Sequence, residues 1–106
     1  MNAPMRATKK PITLNFIEWT GKNLFAVITF MQGKPDLKSD MAKQKWEEYG
    51  DIVKRDGLII HSLEGDHIAA IGDMVMQGVK GEFYYCKPDT FALLYDVENR
   101  PSEEKA

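Results

Sequence analysis

Cysteine is nearly missing from this chain: Cys86 stands alone, so no internal disulfide can form. That favours a reducing setting, and a cytoplasmic protein is expected. Histidine is scarce, with only His61 and His67, and neither a CxxC nor an HxxxH spacing occurs. A zinc site with three or four converging ligands is therefore not expected. No stretch of the chain approaches the roughly 18 consecutive apolar residues that a membrane span needs. A basic surplus is lacking as well: the net charge is −2, which argues against general affinity for nucleic-acid backbone. Repeats, low-complexity tracts and interdomain linkers are absent, and 106 residues allow one domain with a modest core.

The residues present divide into an arm, a domain and a tail. Residues 1–10 carry Arg6, Lys9 and Lys10 with no acid and no apolar run, which reads as a flexible basic arm rather than a signal peptide. Residues 11–96 form the expected domain, and 97–106, with Pro101 and mixed charge, the flexible tail. Pro11 opens a strand over Ile12–Glu18, with Ile12, Leu14 and Phe16 on one face. Thr20 reads as an N-cap, and Leu24, Val27, Ile28 and Met31 follow at the spacing of an apolar helix stripe. Gly33 and Pro35 stop that helix. A second helix starts near Ser39 or Asp40, shares Ala42, Trp46, Tyr49 and Val53 on one face, and stops at Gly50-Asp51.

Residues 56–95 organise the rest. Asp56-Gly57 is a two-residue hairpin signal, because a type I′ turn needs positive φ. It would join a strand at 52–55 to one at 58–63, and Glu64-Gly65-Asp66 would turn back into 67–71. Gly72-Asp73 breaks the run, and Lys80-Gly81 turns between 74–79 and 82–86. Gly78 marks a bulge or bend. Turns recurring about every 8 residues describe a small curled sheet. Pro88 then opens a short helix with Phe91, Leu94 and Tyr95 on one face. The fold class is α+β: a strongly bent antiparallel meander, open to barrel-like closure, with two helices packed on it and a short C-terminal helix.

The run Gly72-Asp73, then Gly78-Val79-Lys80-Gly81-Glu82-Phe83-Tyr84, then Cys86-Lys87-Pro88-Asp89 and Phe91 is specific. With Leu63-Glu64-Gly65 before it and Trp19-Thr20-Gly21 after the first strand, it resembles a widespread family of small uncharacterised bacteriophage and prophage proteins. The similarity spans roughly residues 10–96. The chain departs from that pattern at Ile71 and Tyr85, where proline is usual, and at Met74, where tryptophan is usual. The resemblance implies a phage or prophage origin and carries over no catalytic or binding residue.

Candidate chemistry is sparse. His61 and His67 flank a turn, and a three-residue loop would point both imidazoles from one face, near Cys86 or Asp66. The plainer reading is one packed histidine and one at a wet turn. Cys86 with His61 would need an orienting group and an oxyanion site to act as nucleophile and base, and the sequence identifies neither. Glycines 72, 78 and 81 match no phosphate-loop spacing. Glu82 and Asp73 are the acids best placed for a groove, but a lone carboxylate is no mechanism.

The aromatics carry more. Alternation sets Tyr84 against Phe83 and Tyr85, so one tyrosine faces outward with Lys80 and Lys87 at the strand ends. A tyrosine flanked by lysines can stack a base and pair a phosphate, and Trp19 could form a second wall. The candidate ligand-binding set is Trp19, His61, Lys80, Tyr84, Tyr85 and Lys87. The expected function is non-enzymatic and cofactor-free: sequestration of a small anionic, nucleotide-type ligand to counter host defence. The alternative is an inhibitor or accessory subunit acting on a host or phage protein. Open sheet edges favour a homo-oligomer in either case.

Overall fold

The computed structural model of the chain describes residues 3–98, and of the tail expected over 97–106 all but residues 97 and 98 lies outside the described residues. Five strands and three helices follow in the order β1 (Asn15–Glu18), α1 (Leu24–Gln32), α2 (Asp40–Asp56), β2 (Leu58–Ser62), β3 (Gly65–Ala69), β4 (Met74–Gln77), β5 (Phe83–Cys86) and α3 (Pro88–Leu94). The class is α+β with antiparallel strands throughout. The strands divide into two sheets, β1-β4-β5 and the hairpin β2-β3, with no closed barrel among the described residues. The division falls at Ala70–Asp73, where Gly72 takes φ 100° and turns the chain from one sheet to the other.

Two helix boundaries correct the sequence reading. Asp56-Gly57 is no hairpin: Ile52–Asp56 completes α2, and Gly57, at φ 95°, is its C-cap, with its N–H donating to the Val53 carbonyl at 2.8 Å. A type I′ turn and a glycine C-cap draw on the same freedom at positive φ, so the dipeptide alone does not separate them. Gly50 does not stop the helix either. Its cost inside a helix, about 1 kcal/mol, is offset because Val53 one turn later is buried in the core. The first helix begins later than expected, with Asn23 in the capping position instead of Thr20. Asn23 folds back, its Oδ1 accepting from the Thr20 N–H and hydroxyl and its Nδ2 donating to the Glu18 carbonyl. Ser39 does cap α2, accepting from the Ala42 N–H.

Register decides what each face carries. Ile17 pairs with Val75 and Val75 with Tyr85, while Phe16 pairs with Met76 and Met76 with Tyr84. On the first face Ile17, Val75 and Phe83 meet Leu58, Ile60 and Ala69 of the hairpin, with Val27, Ile28 and Val53 of the helices. The apolar stripe of α1 and the Trp46-Tyr49-Val53 face of α2 close over this core. On the second face α3 lays Phe91 against Phe16, ring centroids 4.6 Å apart, and Tyr95 against Phe91 at 5.2 Å. Leu94 stays exposed and does not join that cluster. The three-stranded sheet is thus covered on both faces. Its β5 side lies beside β2, and its β1 edge pairs with no further strand among the described residues.

Candidate functional site

Part of the run that carries the resemblance, Trp19, Gly72, Asp73 and Lys87, gathers at one end of the three-stranded sheet and bonds together there. Asp73 is 1% exposed. Its two carboxylate oxygens both accept from Lys87 Nζ at 3.0 Å, and Oδ2 also accepts from the Ala70 N–H at 2.9 Å. Its carbonyl accepts from the Trp19 N–H at 2.9 Å, and the Gly72 N–H donates to the Trp19 carbonyl at 2.7 Å. The carboxylate of this one residue therefore fastens the β3–β4 turn to the residue that follows β5, and its backbone, with that of Gly72, fastens the end of β1. A carboxylate taken out of water costs several kcal/mol unless charge and hydrogen bonds meet it, and here they do. His67 Nε2 lies 3.7 Å from Asp73 Oδ2, beyond hydrogen-bond reach, and has no partner. The imidazole instead stacks on Tyr85, centroids 3.4 Å apart and 8° from parallel, with Lys87 Nζ 5.7 Å from the same ring's centroid.

A second run of the resemblance is also architectural. In the β4–β5 turn the Gly78 N–H donates to the Glu82 carbonyl and the Lys80 N–H to the Glu82 carboxylate at 3.0 Å. That carboxylate lies where a Cβ on Gly78 would stand, so a side chain there would have to push the Glu82 carboxylate away from the Lys80 N–H.

Of the six expected binding residues, only Tyr85 and Lys87 come together. Trp19 is core, 5% exposed, and walls no pocket. Its indole fills the space between the sheet and the hairpin once its backbone is held by Gly72 and Asp73. Lys80 sits at the other end of β5 from Lys87. Tyr84 faces α3, and burial with the neighbouring Tyr95 phenol pushes its own phenol well above the ordinary value. His61 diverges from His67 because the turn holds two residues, Leu63 and Glu64, instead of three. His61 thus pairs with Asp66 on the outer face, Nδ1 to Oδ1 2.6 Å, while His67 pairs with Ile60 on the inner one. Cys86 lies two residues from Tyr84 on the α3 face, its thiol pushed up by burial and by Asp89 and Asp73. Among the described residues no three His, Cys, Asp or Glu side chains converge for a metal.

Sequence reasoning left His67 out of the candidate binding set and read Asp73 as a lone acid without a positioned partner. The signal was available: Tyr85 and Lys87 share a face two residues apart, and Gly72-Asp73 ends the strand pair facing them.

The recess in the surface lies elsewhere, along the free edge of β1. It has a volume of about 1340 Å³ and runs between residues 11–14, β1 itself, α3 and residues 95–98. Phe16, Phe30, Met76, Phe91, Leu94 and Tyr95 supply apolar wall, and Glu18, Asp96 and Glu98 supply carboxylates. Among the described residues no lysine, arginine or histidine lines it. Thr13 Oγ1 donates to Glu98 Oε2 at 3.1 Å, joining the two ends of the described chain across the groove. Asp73, His67, Tyr85 and Lys87 do not line it. A separate apolar surface is the outer face of the hairpin, where the cross-strand pair Ile59 and Ile68 is 44% and 58% exposed. No helix among the described residues is long and apolar enough to cross a membrane. No family model, curated protein or solved structure matches the chain.

Proposed function

We propose that the chain is a non-enzymatic binding protein that grips an extended, basic segment of a protein partner along the free edge of β1. The observation that carries this is the groove: apolar walls, three carboxylates and, among the described residues, no strand paired with the edge and no cation in the lining. A strand edge offers backbone N–H and C=O groups to an added strand, and side pockets for alternate residues supply selectivity. Carboxylates at the same place favour lysine and arginine in that strand and repel phosphate. The resemblance to bacteriophage and prophage chains supports a host or phage protein as partner, met in the host cytoplasm.

Sequestration of a nucleotide-type ligand is the second reading, and the adjacency of Tyr85 and Lys87 favours it. Against it, the Lys87 ammonium is already held by both oxygens of Asp73, and one face of the Tyr85 ring is taken by His67. Titration calorimetry separates the two. A ten-residue lysine- and arginine-rich peptide without helix propensity is expected to bind, more weakly as salt rises from about 50 to 500 mM and the screening length shrinks. Its glutamate counterpart and a panel of mono-, di- and cyclic nucleotides are expected not to bind. A nucleotide that binds while the basic peptide does not would reverse the order of the two readings.

A further inference from the structure

We infer that the segment the groove takes is the basic arm, residues 3–10, of a second copy of this chain. The inference rests on the groove reading above and names its occupant. Three observations meet. The arm carries Arg6, Lys9 and Lys10 and no acid, against Glu18, Asp96 and Glu98 in the groove, so the two surfaces are complementary in charge. Every residue from 3 to 10 is exposed on its own chain, and Met5, an apolar side chain, is 92% exposed, so the arm's own body does not cover it. Lys9 Nζ stands 5.6 Å from the centroid of Tyr95, at the groove's rim, so the arm leaves its own body beside the site it fits.

Geometry permits the exchange. Residues 3–10, extended, reach roughly 26 Å, about twice the 13 Å or so of a four-residue strand such as β1. As an added strand, the arm would set Met5, Ala7 and Lys9 to one side and Arg6, Thr8 and Lys10 to the other, so that each side offers a cation to a groove that holds both apolar wall and carboxylate. Reciprocal exchange about a two-fold axis closes the assembly as a dimer and fills both edges at once.

The test uses the full chain and a charge-reversed full chain, Arg6→Glu with Lys9→Glu and Lys10→Glu. Those side chains are exposed, so the variant is expected to fold as the parent does. Sedimentation equilibrium of the parent is expected to show a dimer whose dissociation constant rises with salt. The reversed variant is expected to associate at least tenfold more weakly. A synthetic peptide of residues 1–10 is expected to bind the reversed variant and to compete with dimer formation by the parent. A parent monomeric at all concentrations, or a variant that dimerises as tightly, overturns the inference. If, in that event, an unrelated basic peptide still binds the parent, the groove reading stands and only its occupant is wrong. If no basic peptide binds either chain, both fall together.

Discussion

Two regions of the described structure handle carboxylates in opposite ways. At the Gly72-Asp73 end, one acid is buried, met by an ammonium and a backbone N–H, and no groove reaches it. Along the β1 edge, Glu18 and Asp96 are exposed beside a recess whose lining contains no cation. The first arrangement satisfies itself and holds strands together. The second leaves charge and backbone unmatched, which is what a surface needs to hold something else. Residues that look chemically eventful in sequence, a lysine beside tyrosines and a histidine near an acid, are thus committed to architecture. Residues that read as domain margin supply the surface.

The largest effect separating the two regions is expected from Lys87→Ala. It leaves Asp73 charged, buried and short of its strongest partner, and removing one member of such a pair costs roughly 3 kcal/mol or more in urea unfolding. Asp73→Ala should cost less, roughly 2 kcal/mol, because Lys87 is 47% exposed and its ammonium can return to water. The double variant should fall short of the sum, as groups sharing one network do. Equal costs for the two single changes would argue against this pairing. Gly57→Ala is smaller, about 1–2 kcal/mol, because φ is 95° and the new Cβ would stand 2.6 Å from the Ile68 Cγ2.

A pH titration reads the α3 face of β5. The Tyr84 phenol is raised by burial first and by Tyr95 next. A raised folded-state value means that the unfolded phenol ionises first, so the stability Tyr84 contributes is whole below about pH 10 and is lost as pH climbs beyond it. Tyr84→Phe should flatten that alkaline fall. Burial and two nearby acids likewise keep Cys86 protonated, and its alkylation at pH 8 should be slower than that of a free thiol. Smallest of all, Asp96→Ala and Glu18→Ala should change stability by less than about 0.5 kcal/mol while weakening capture of a basic peptide. That split between stability and binding is the mark of the open edge.

Much of this fold is written locally. The Leu24, Val27, Ile28 and Met31 stripe, the Ser39 cap, and Pro88 opening α3 each act through their near neighbours, and each stands where its spacing put it. The misreadings arose where one residue type serves two geometries. Gly57 could turn a hairpin or cap a helix, and only the burial of Val53, a long-range fact, decides between them. Thr20 and Asn23 are both good caps, and the choice follows from where the Glu18 carbonyl ends β1. The site was less legible still. The groove brings Thr13 to Glu98 across most of the chain's length, and the Asp73–Lys87 pair joins the β3–β4 turn to the residue that follows β5. Periodicity gives the face a side chain points to; it does not give what stands opposite.

The β1 edge itself is tested most directly by amide hydrogen exchange of Asn15–Glu18, with and without a saturating basic peptide. The β1 amides that are not bonded to β4 are expected to exchange rapidly in the charge-reversed chain and to become protected on adding the peptide, while β2 and β3 stay unchanged. If protection appears at Tyr85 and Lys87, or nowhere on β1, the free edge is not where this protein binds.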